Sequence, residues 1–213
     1  MDRALAIAAV AGLAAAGIGV SNLLRDRGVD ASRSRCLAAA MGGLAFLAAV
    51  LWLPPWAAVA VTGALTLLIA ILRLGFRRGL RGTHGSRPGQ AWAEVTFALA
   101  GTASLAIGWG LLGNKWLAFL PIAYVACGDN AAGFARATVC LDRPASLWPS
   151  AAMLGVCLGA AALLQPYWVG AAGAIVATAA ERYRPKIGNL WDDNMNVVAV
   201  SLTVMGILTA TIK

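Results

Sequence analysis

Long apolar runs separated by short polar segments make up almost the whole chain. A helix needs roughly 20 apolar residues to cross the hydrocarbon core of a bilayer, and runs near that length recur along the sequence. The pattern predicts eight membrane spans, at residues 4–24, 37–53, 55–72, 91–112, 115–127, 146–164, 167–181 and 195–211. The 115–127 run is short, so we expect its helix to continue into the segment GDNAAGFAR at 128–136.

Composition argues against a soluble domain. Of the 213 residues, 60% are hydrophobic and 12% are charged, whereas a soluble domain is about 25% charged. No linker, low-complexity segment or internal repeat is visible, so we predict one domain over residues 1–213. The expected fold is an all-α, multi-pass transmembrane helical bundle, placed in a bacterial or archaeal cell membrane or in an endoplasmic reticulum or plastid membrane.

The basic residues are distributed asymmetrically among the predicted loops. Odd-numbered loops hold every basic residue except Arg3, Lys115 and Lys213. Because cytoplasmic loops collect Lys and Arg, the odd-numbered loops are predicted to be cytoplasmic and both termini to lie outside. The first apolar run follows one basic residue and precedes four, which favours an uncleaved span over a signal peptide.

Acidic residues at the predicted cytoplasmic ends of the spans are the candidates for chemistry. Asp129, Glu181, Asp192 and Asp193 stand at such ends. Ionisable groups near membrane depth are costly and usually functional, although helix caps and solvated surface charges are the structural alternative. Adjacent carboxylates, as in WDDNMN at 191–196, repel one another unless a cation is near, and hard oxygen ligands with substrate phosphates suit Mg²⁺. The sequence contains no GxxxxGK[ST] motif, so a P-loop is excluded as the means of binding phosphate.

Four stretches carry a further signal, and they occur in the order DASRSRCLAAAMGG (30–43), WAEVTFALA (92–100), CGDNAAGFAR (127–136) and AERYRPKIGNLWDDNMNVVAV (180–200). Together they resemble the CTP-dependent lipid kinase family, which includes dolichol kinase, phytol kinase and the fungal CTP-dependent diacylglycerol kinase. The last stretch is the most specific, since it is similar to the family's Val-Glu-Ser-Leu-Pro followed by Asp-Asp-Asn-Leu-Thr-Val-Pro.

The other stretches match the family motifs in part. Arg33 stands at the arginine of an acidic-x-x-Arg-Lys-x-x-His motif, and Glu94 matches the glutamate of a Gly-Glu-hydrophobic-x-Phe/Tyr-Pro segment. The third stretch is similar to Gly-Asp-x-x-Ala-x-x-x-Gly. Two residues differ from the family motifs. Leu37 stands in place of the histidine of the first motif, and Ala145 stands in place of a lysine that the family usually has. The resemblance then requires another residue to supply the positive charge of that lysine, and Arg143, two residues earlier, is the candidate.

The resemblance implies phosphoryl transfer from CTP, with Mg²⁺, to an isoprenoid alcohol of the dolichol, polyprenol or phytol type in the bilayer, with release of CDP. It implies partners that are CTP, the lipid alcohol and membrane lipids, with no nucleic acid. The residues that it suggests are Asp129 and Asp193 for catalysis, Asp129, Glu181, Asp192 and Asp193 for the metal, and Arg33, Asn130, Arg136, Arg143, Lys186 and Asn194 for the nucleotide.

Two other functions stay open at this stage. One is a different CTP-using lipid enzyme, either a diacylglycerol kinase or a cytidylyltransferase that forms a CDP-lipid and releases pyrophosphate. The other is a non-enzymatic membrane protein or a transporter. A transporter is expected to carry charges or broken helices near the bilayer midplane, whereas the charges of this chain gather at one face.

Overall fold

The computed structural model describes residues 2–75, 77–83, 92–138, 146–183 and 192–212, and this part of the chain contains helices and turns but no strand. The helices are α1 (Arg3–Asp26), α2 (Ala31–Trp52), α3 (Pro55–Gly75), α4 (Ala93–Ser104), α5 (Lys115–Ala123), α6 (Asn130–Thr138), α7 (Trp148–Ala161), α8 (Tyr167–Tyr183) and α9 (Asp193–Ile212). A π-helical stretch, Leu105–Leu111, extends α4, and a second, Tyr124–Asp129, joins α5 to α6. The predicted all-α fold is confirmed for these residues.

Each of the eight predicted spans overlaps a helical segment, and within the described ranges six helices are long and apolar enough to cross a membrane. Those six are Arg3–Asp26, Ala31–Trp52, Pro55–Gly75, Ala93–Leu111, Lys115–Thr138 and Asp193–Ile212. The fifth of them confirms that the 115–127 helix continues through the GDN segment. With 14 residues, α7 is shorter than a bilayer crossing normally requires, and α8, with 17, is at the lower limit of about 17 residues. The chain therefore has the helices of an integral membrane protein, and the count of eight crossings and their orientation stay predictions.

Short turns with capping side chains reverse the chain between neighbouring helices. Gly28 and Gly113 adopt φ values of +82° and +70°, which glycine reaches without a steric cost. Asp30 begins α2 by accepting a hydrogen bond at 2.6 Å from the backbone N–H two residues ahead. Asn114 begins α5 in the same way, through two N–H groups at 3.0 and 3.1 Å. The pairs α1–α2 and α4–α5 therefore run antiparallel.

Side-chain contacts show which helix ends lie together. Arg73, in the last turn of α3, forms an ion pair with Glu94, in the first turn of α4. The Thr96 hydroxyl of α4 donates to Asp192, which immediately precedes α9. The first turns of α4 and α9 and the last turn of α3 are thus at the same end of the bundle.

The rod Lys115–Thr138 occupies the centre of the bundle, and its residues 117–126 are all buried. Leu120 and Tyr124 pack in one apolar cluster with side chains of α7, α8 and α9. Ala118 and Ile122 pack in a second cluster with α1, α2 and α3. A helix that is apolar all round must be enclosed on every side, so this rod is the common wall of both clusters.

Small residues allow α5 to approach the helix before it very closely. The Ser104 hydroxyl donates to the carbonyl of Ala118 at 2.6 Å. A Cβ atom at Gly108 would lie 2.6 Å from the Cα of Ala118 and 2.8 Å from its backbone nitrogen. Within a bilayer, helix association depends on such close packing because lipid tails are as apolar as the helix surfaces.

We predict that Gly108→Ala destabilises the fold, because the added methyl group meets backbone atoms that have no freedom to turn aside. The expected cost is about 1–3 kcal/mol. Gly110→Ala is the matched control. Gly110 lies in the same π-helical stretch, but a Cβ atom added there would be 3.9 Å from the carbonyl oxygen of Leu105, which is an ordinary contact. Thermal unfolding in detergent should show a lower Tm for Gly108→Ala and an unchanged or higher one for Gly110→Ala. Equal Tm values for the two variants would contradict the close contact.

Candidate functional site

A cavity lies inside the bundle, lined by α1 to α4, by the π-helical stretch before α6 and by the start of α9. Its apolar part includes Val10 and Ala14 of α1 and Leu65 of α3, which lie in the middle of their helices. Its polar part is formed at helix ends, and we call the following residues the polar end of the cavity: Arg35, Glu94, Asp129, Asn130, Asp193 and Asn194. The cavity therefore joins an apolar interior to a cluster of charged and amide groups.

The segment GDN at 128–130 is fixed in place by three different contacts. Gly128 lies against α7, where a Cβ atom would be 2.5 Å from the sulfur of Cys157. Asp129 is the last residue of the π-helical stretch and lines the cavity. Asn130 donates hydrogen bonds to the carbonyl of Cys36 in α2, at 2.8 Å, and to that of Ala126, at 2.6 Å. The π-helical geometry, which often marks functional sites, thus ends where the carboxylate reaches the cavity.

Arg136 binds two of the predicted metal ligands. Its Nη1 donates to Glu181 Oε1 at 2.7 Å, and its Nη2 lies 3.5 Å from Asp129 Oδ1. The side chain of Glu181 is only 1% exposed. The arginine that the sequence suggested for nucleotide phosphates therefore compensates two carboxylates in this structure, and it connects α6 with α8.

The two adjacent aspartates at the start of α9 have different surroundings. Asp192 is buried, caps α9 by accepting the N–H of Met195 at 3.2 Å, and accepts the Thr96 hydroxyl. Burial raises the pKa of Asp192 above its ordinary value, an effect that Asp193 increases and the Thr96 hydrogen bond opposes. Asp193 lines the cavity, whereas Asp192 holds α9 against α4. The metal-binding role that the sequence suggested for Asp192 stays a prediction.

Asn194 strengthens the same junction. Its side-chain amide donates to the carbonyl of Ala93 and to Asp192 Oδ2, both at 3.2 Å. The residue also lines the cavity. The amide that the sequence assigned to the nucleotide therefore joins the first turns of α4 and α9 at the polar end.

Arg35, and not Arg33, lines the cavity. The side chain of Arg33 is 76% exposed and lies 3.4 Å from Asp30, so the structure places it at the surface of α2. Arg35 shares a helix face with Ala38 and Gly42, which also line the cavity, because residues three and seven positions apart lie on one side of a helix. The spacing of Arg35 from the small residues Ala38 and Gly42 is present in the sequence, but matching the chain to the family motif placed the arginine at Arg33 instead.

The segment 77–83 covers part of the cavity from the side of α1 and α2. Asn22 of α1 accepts the backbone N–H of Gly82 at 2.8 Å, and Ser34 of α2 donates to the Gly82 carbonyl at 3.0 Å. Leu80 is fully buried, and both Leu80 and Thr83 line the cavity. Residues beyond the end of α3 therefore contribute to the cavity wall.

The sequence assigned no role to Glu94, which is the fourth charged residue of the polar end. Its side chain is 6% exposed and lies beside Arg73, with Nε 3.4 Å from Oε1. Neither carboxylate oxygen accepts a hydrogen bond from any residue that the structure describes. A match to the glutamate of a family motif was the available signal, although it did not indicate what this carboxylate contacts.

The four carboxylates predicted to bind the metal have different partners. Asp129 and Asp193 line the same cavity, whereas Glu181 binds Arg136 and Asp192 caps α9. In the described ranges, no group of three or more His, Cys, Asp or Glu side chains is arranged to hold a metal ion. The other two residues suggested for the nucleotide, Arg143 and Lys186, lie outside the described residues.

Comparison of the chain with protein-family models, with curated proteins and with solved structures finds no match. The resemblance to CTP-dependent lipid kinases therefore stays an expectation from the four sequence stretches. The geometry of the cavity is a separate observation on which a functional proposal can be built.

We predict that Arg136→Met destabilises the protein by about 1.5–3 kcal/mol, because it removes a charged hydrogen bond to the buried carboxylate of Glu181. The control is Arg33→Met, which removes an arginine from an exposed ion pair and should cost less than about 1 kcal/mol. Thermal unfolding of both variants in detergent measures the difference. A loss as small for Arg136→Met as for Arg33→Met would show that the Arg136 ion pairs contribute little to the fold.

Proposed function

We propose that this protein is a membrane-embedded kinase that transfers the γ-phosphoryl group of CTP to an isoprenoid alcohol. The observation that carries the proposal is one cavity whose interior is apolar and whose polar end holds two aspartates, a glutamate and an arginine. A lipid alcohol has the same division, since it consists of a long apolar chain and one hydroxyl group. The choice of CTP and of an isoprenoid rests on the resemblance of the four sequence stretches.

The chain offers ligands that fit a magnesium ion at the polar end. Asp129 and Asp193 are hard oxygen donors that line the same cavity. Mg²⁺ is usually bound by one or two carboxylates together with substrate phosphates, so two such side chains meet its requirement. When bound, the ion would supply positive charge to offset that of the phosphates. We assign these two aspartates to the metal.

We assign the basic side chains to the phosphates or to the positioning of Asp129. Among the described residues, Arg35 is the cation that lines the cavity, and we assign it to the phosphates in place of Arg33. Arg136 holds Asp129 in position through its ion pair, rather than binding phosphate itself. Arg143 and Lys186 keep their predicted role as phosphate ligands.

The proposed reaction forms one oxygen–phosphorus bond and breaks another. The alcohol oxygen attacks the γ-phosphorus and its hydroxyl proton is lost to solvent. The bond from that phosphorus to the bridging oxygen breaks, and CDP leaves with the electron pair. Positioning and charge stabilisation dominate phosphoryl transfer, so fixed side chains at helix ends are suited to it.

The test of this proposal is incubation of the purified protein in lipid nanodiscs with labelled CTP, Mg²⁺ and a panel of isoprenoid alcohols and diacylglycerols. We expect CDP and an isoprenoid monophosphate, and faster transfer from CTP than from ATP at equal concentration. Preferred phosphorylation of diacylglycerol would change the substrate class. Release of pyrophosphate from CTP with a lipid phosphate acceptor would indicate a cytidylyltransferase, and the lack of any turnover would reject an enzyme of this type.

We predict that Asp129→Asn and Asp193→Asn each reduce the transfer rate by on the order of a hundredfold or more. Each substitution preserves size but removes a charge that offsets the triphosphate and its metal, and each decade in rate corresponds to about 1.4 kcal/mol. The matched control is Asp26→Asn, because the side chain of Asp26 is half-exposed and does not line the cavity. Rates should be measured over a range of Mg²⁺ concentrations, with monodispersity in detergent as the folding check. A folded variant with near-normal turnover would remove that aspartate from the metal site.

A further inference from the structure

Glu94 is a buried carboxylate at the polar end that lacks a hydrogen-bond donor among the described residues. Arg73 lies close enough to balance its charge, but the geometry does not make a hydrogen bond to either oxygen. The Arg73 guanidinium also lies over the ring of Trp92, 5.9 Å from its centroid. The carboxylate therefore has a counterion but no hydrogen-bond donor from another described residue.

Two neighbouring side-chain donors bind other acceptors. The Thr96 hydroxyl, two residues along α4, donates to Asp192. The Asn194 amide donates to the Ala93 carbonyl and to Asp192. Burying a carboxylate without hydrogen bonds is costly, and an ionised carboxylate can accept several of them. Glu94 is consequently suited to accept a donor that arrives through the cavity.

The surroundings restrict the chemistry of that donor. Arg73 on one side disfavours a second cation, and the negative charge of Glu94 itself disfavours an anion such as a phosphate. Phe97, one turn after Glu94, lines the same cavity and packs edge-to-face against Phe46, with the ring centroids 6.0 Å apart. A neutral donor attached to an apolar body satisfies both conditions.

We propose that Glu94 accepts a hydrogen bond from the hydroxyl group of a lipid alcohol whose chain lies in the apolar part of the cavity against Phe97. The proposal rests on the proposed function for the identity of the ligand as a lipid alcohol. It adds a binding residue for the reacting group, and it leaves Asp129 and Asp193 to the metal. A hydrogen bond to a charged acceptor is also about twice as strong as one between neutral groups, so the hydroxyl oxygen would be held firmly.

The experiment measures binding without nucleotide, on the full chain in nanodiscs. The probes are phytol and phytyl methyl ether, which share one hydrocarbon chain but differ in the presence of a hydroxyl donor. Wild-type protein should bind the alcohol about tenfold or more tightly than the ether. Glu94→Gln should lower this ratio, and the control Asp26→Asn should preserve it.

Glu94→Gln leaves Arg73 buried without its counterion, so this variant could fail to fold. A second variant is therefore needed to test the inference in a folded protein. Arg73→Met combined with Glu94→Leu removes both charges and replaces them with apolar side chains, an exchange that buried ion pairs often tolerate. In this double variant the two probes should bind within about threefold of each other, since only the neutral contacts remain. Circular dichroism and monodispersity confirm that the compared proteins are folded.

Two results would overturn the inference, namely equal affinity of the wild type for phytol and its ether, or an unchanged tenfold preference in the folded double variant. Failure of the proposed function gives a different result, in which wild-type protein binds phytol in preference to the ether but transfers no phosphoryl group from CTP. If the wild type transfers phosphoryl groups from CTP and the double variant keeps its preference for phytol, the proposed function stands and only the role of Glu94 is wrong.

Discussion

The enclosure of the rod Lys115–Thr138 is the constraint on which the rest of the structure depends. Its residues 117–126 are all buried, so helices must cover it from both sides. One cluster packs α7, α8 and α9 against it and the other packs α1, α2 and α3. Because this rod continues through the π-helical stretch to Asp129, the packing that encloses it also fixes where that carboxylate lies.

Polar side chains in and beside the polar end of the cavity bind mainly to one another and to backbone carbonyls. Asn130 binds two carbonyl groups, Asn194 binds a carbonyl and a carboxylate, and Arg136 joins two carboxylates. In an environment with little water, each such bond prevents the cost of an unsatisfied buried group. These bonds position Asp129 and Asp193, which line the cavity, and they leave Glu94 as the carboxylate without a donor in the described part of the chain.

The sequence predicts the helices well because the length of an apolar run is a direct physical requirement of a bilayer. The run 55–72 corresponds to Pro55–Gly75, for example. Agreement is poorer for α2, which begins at Ala31 rather than at 37, because a helix capped by Asp30 extends beyond the apolar region that hydropathy detects. Hydropathy reports the stretch that is compatible with lipid, whereas hydrogen bonding and capping decide where the helix ends.

The site is less predictable because its geometry depends on contacts between distant parts of the chain. Asp129 and Asp193 were identified from their positions at span ends, and both line the cavity. The choice between Arg33 and Arg35 depends on helix phase, which a motif match does not resolve. Asp192 differs from its neighbour Asp193 because Thr96, 96 residues earlier, donates to it. No local pattern in the sequence reports such a partner.

The junction between α4 and α9 also has a consequence for biogenesis. Thr96 and Ala93 are synthesised about 100 residues before their partners Asp192 and Asn194, which lie at the start of α9. A nascent chain that has inserted its first four helices has much of the apolar wall of the cavity and the Glu94 carboxylate, but not Asp193. The polar end is therefore completed only when α9 leaves the ribosome and enters the bundle. Insertion of α9 is thus the step that adds Asp193 and Asn194 to the wall of the cavity.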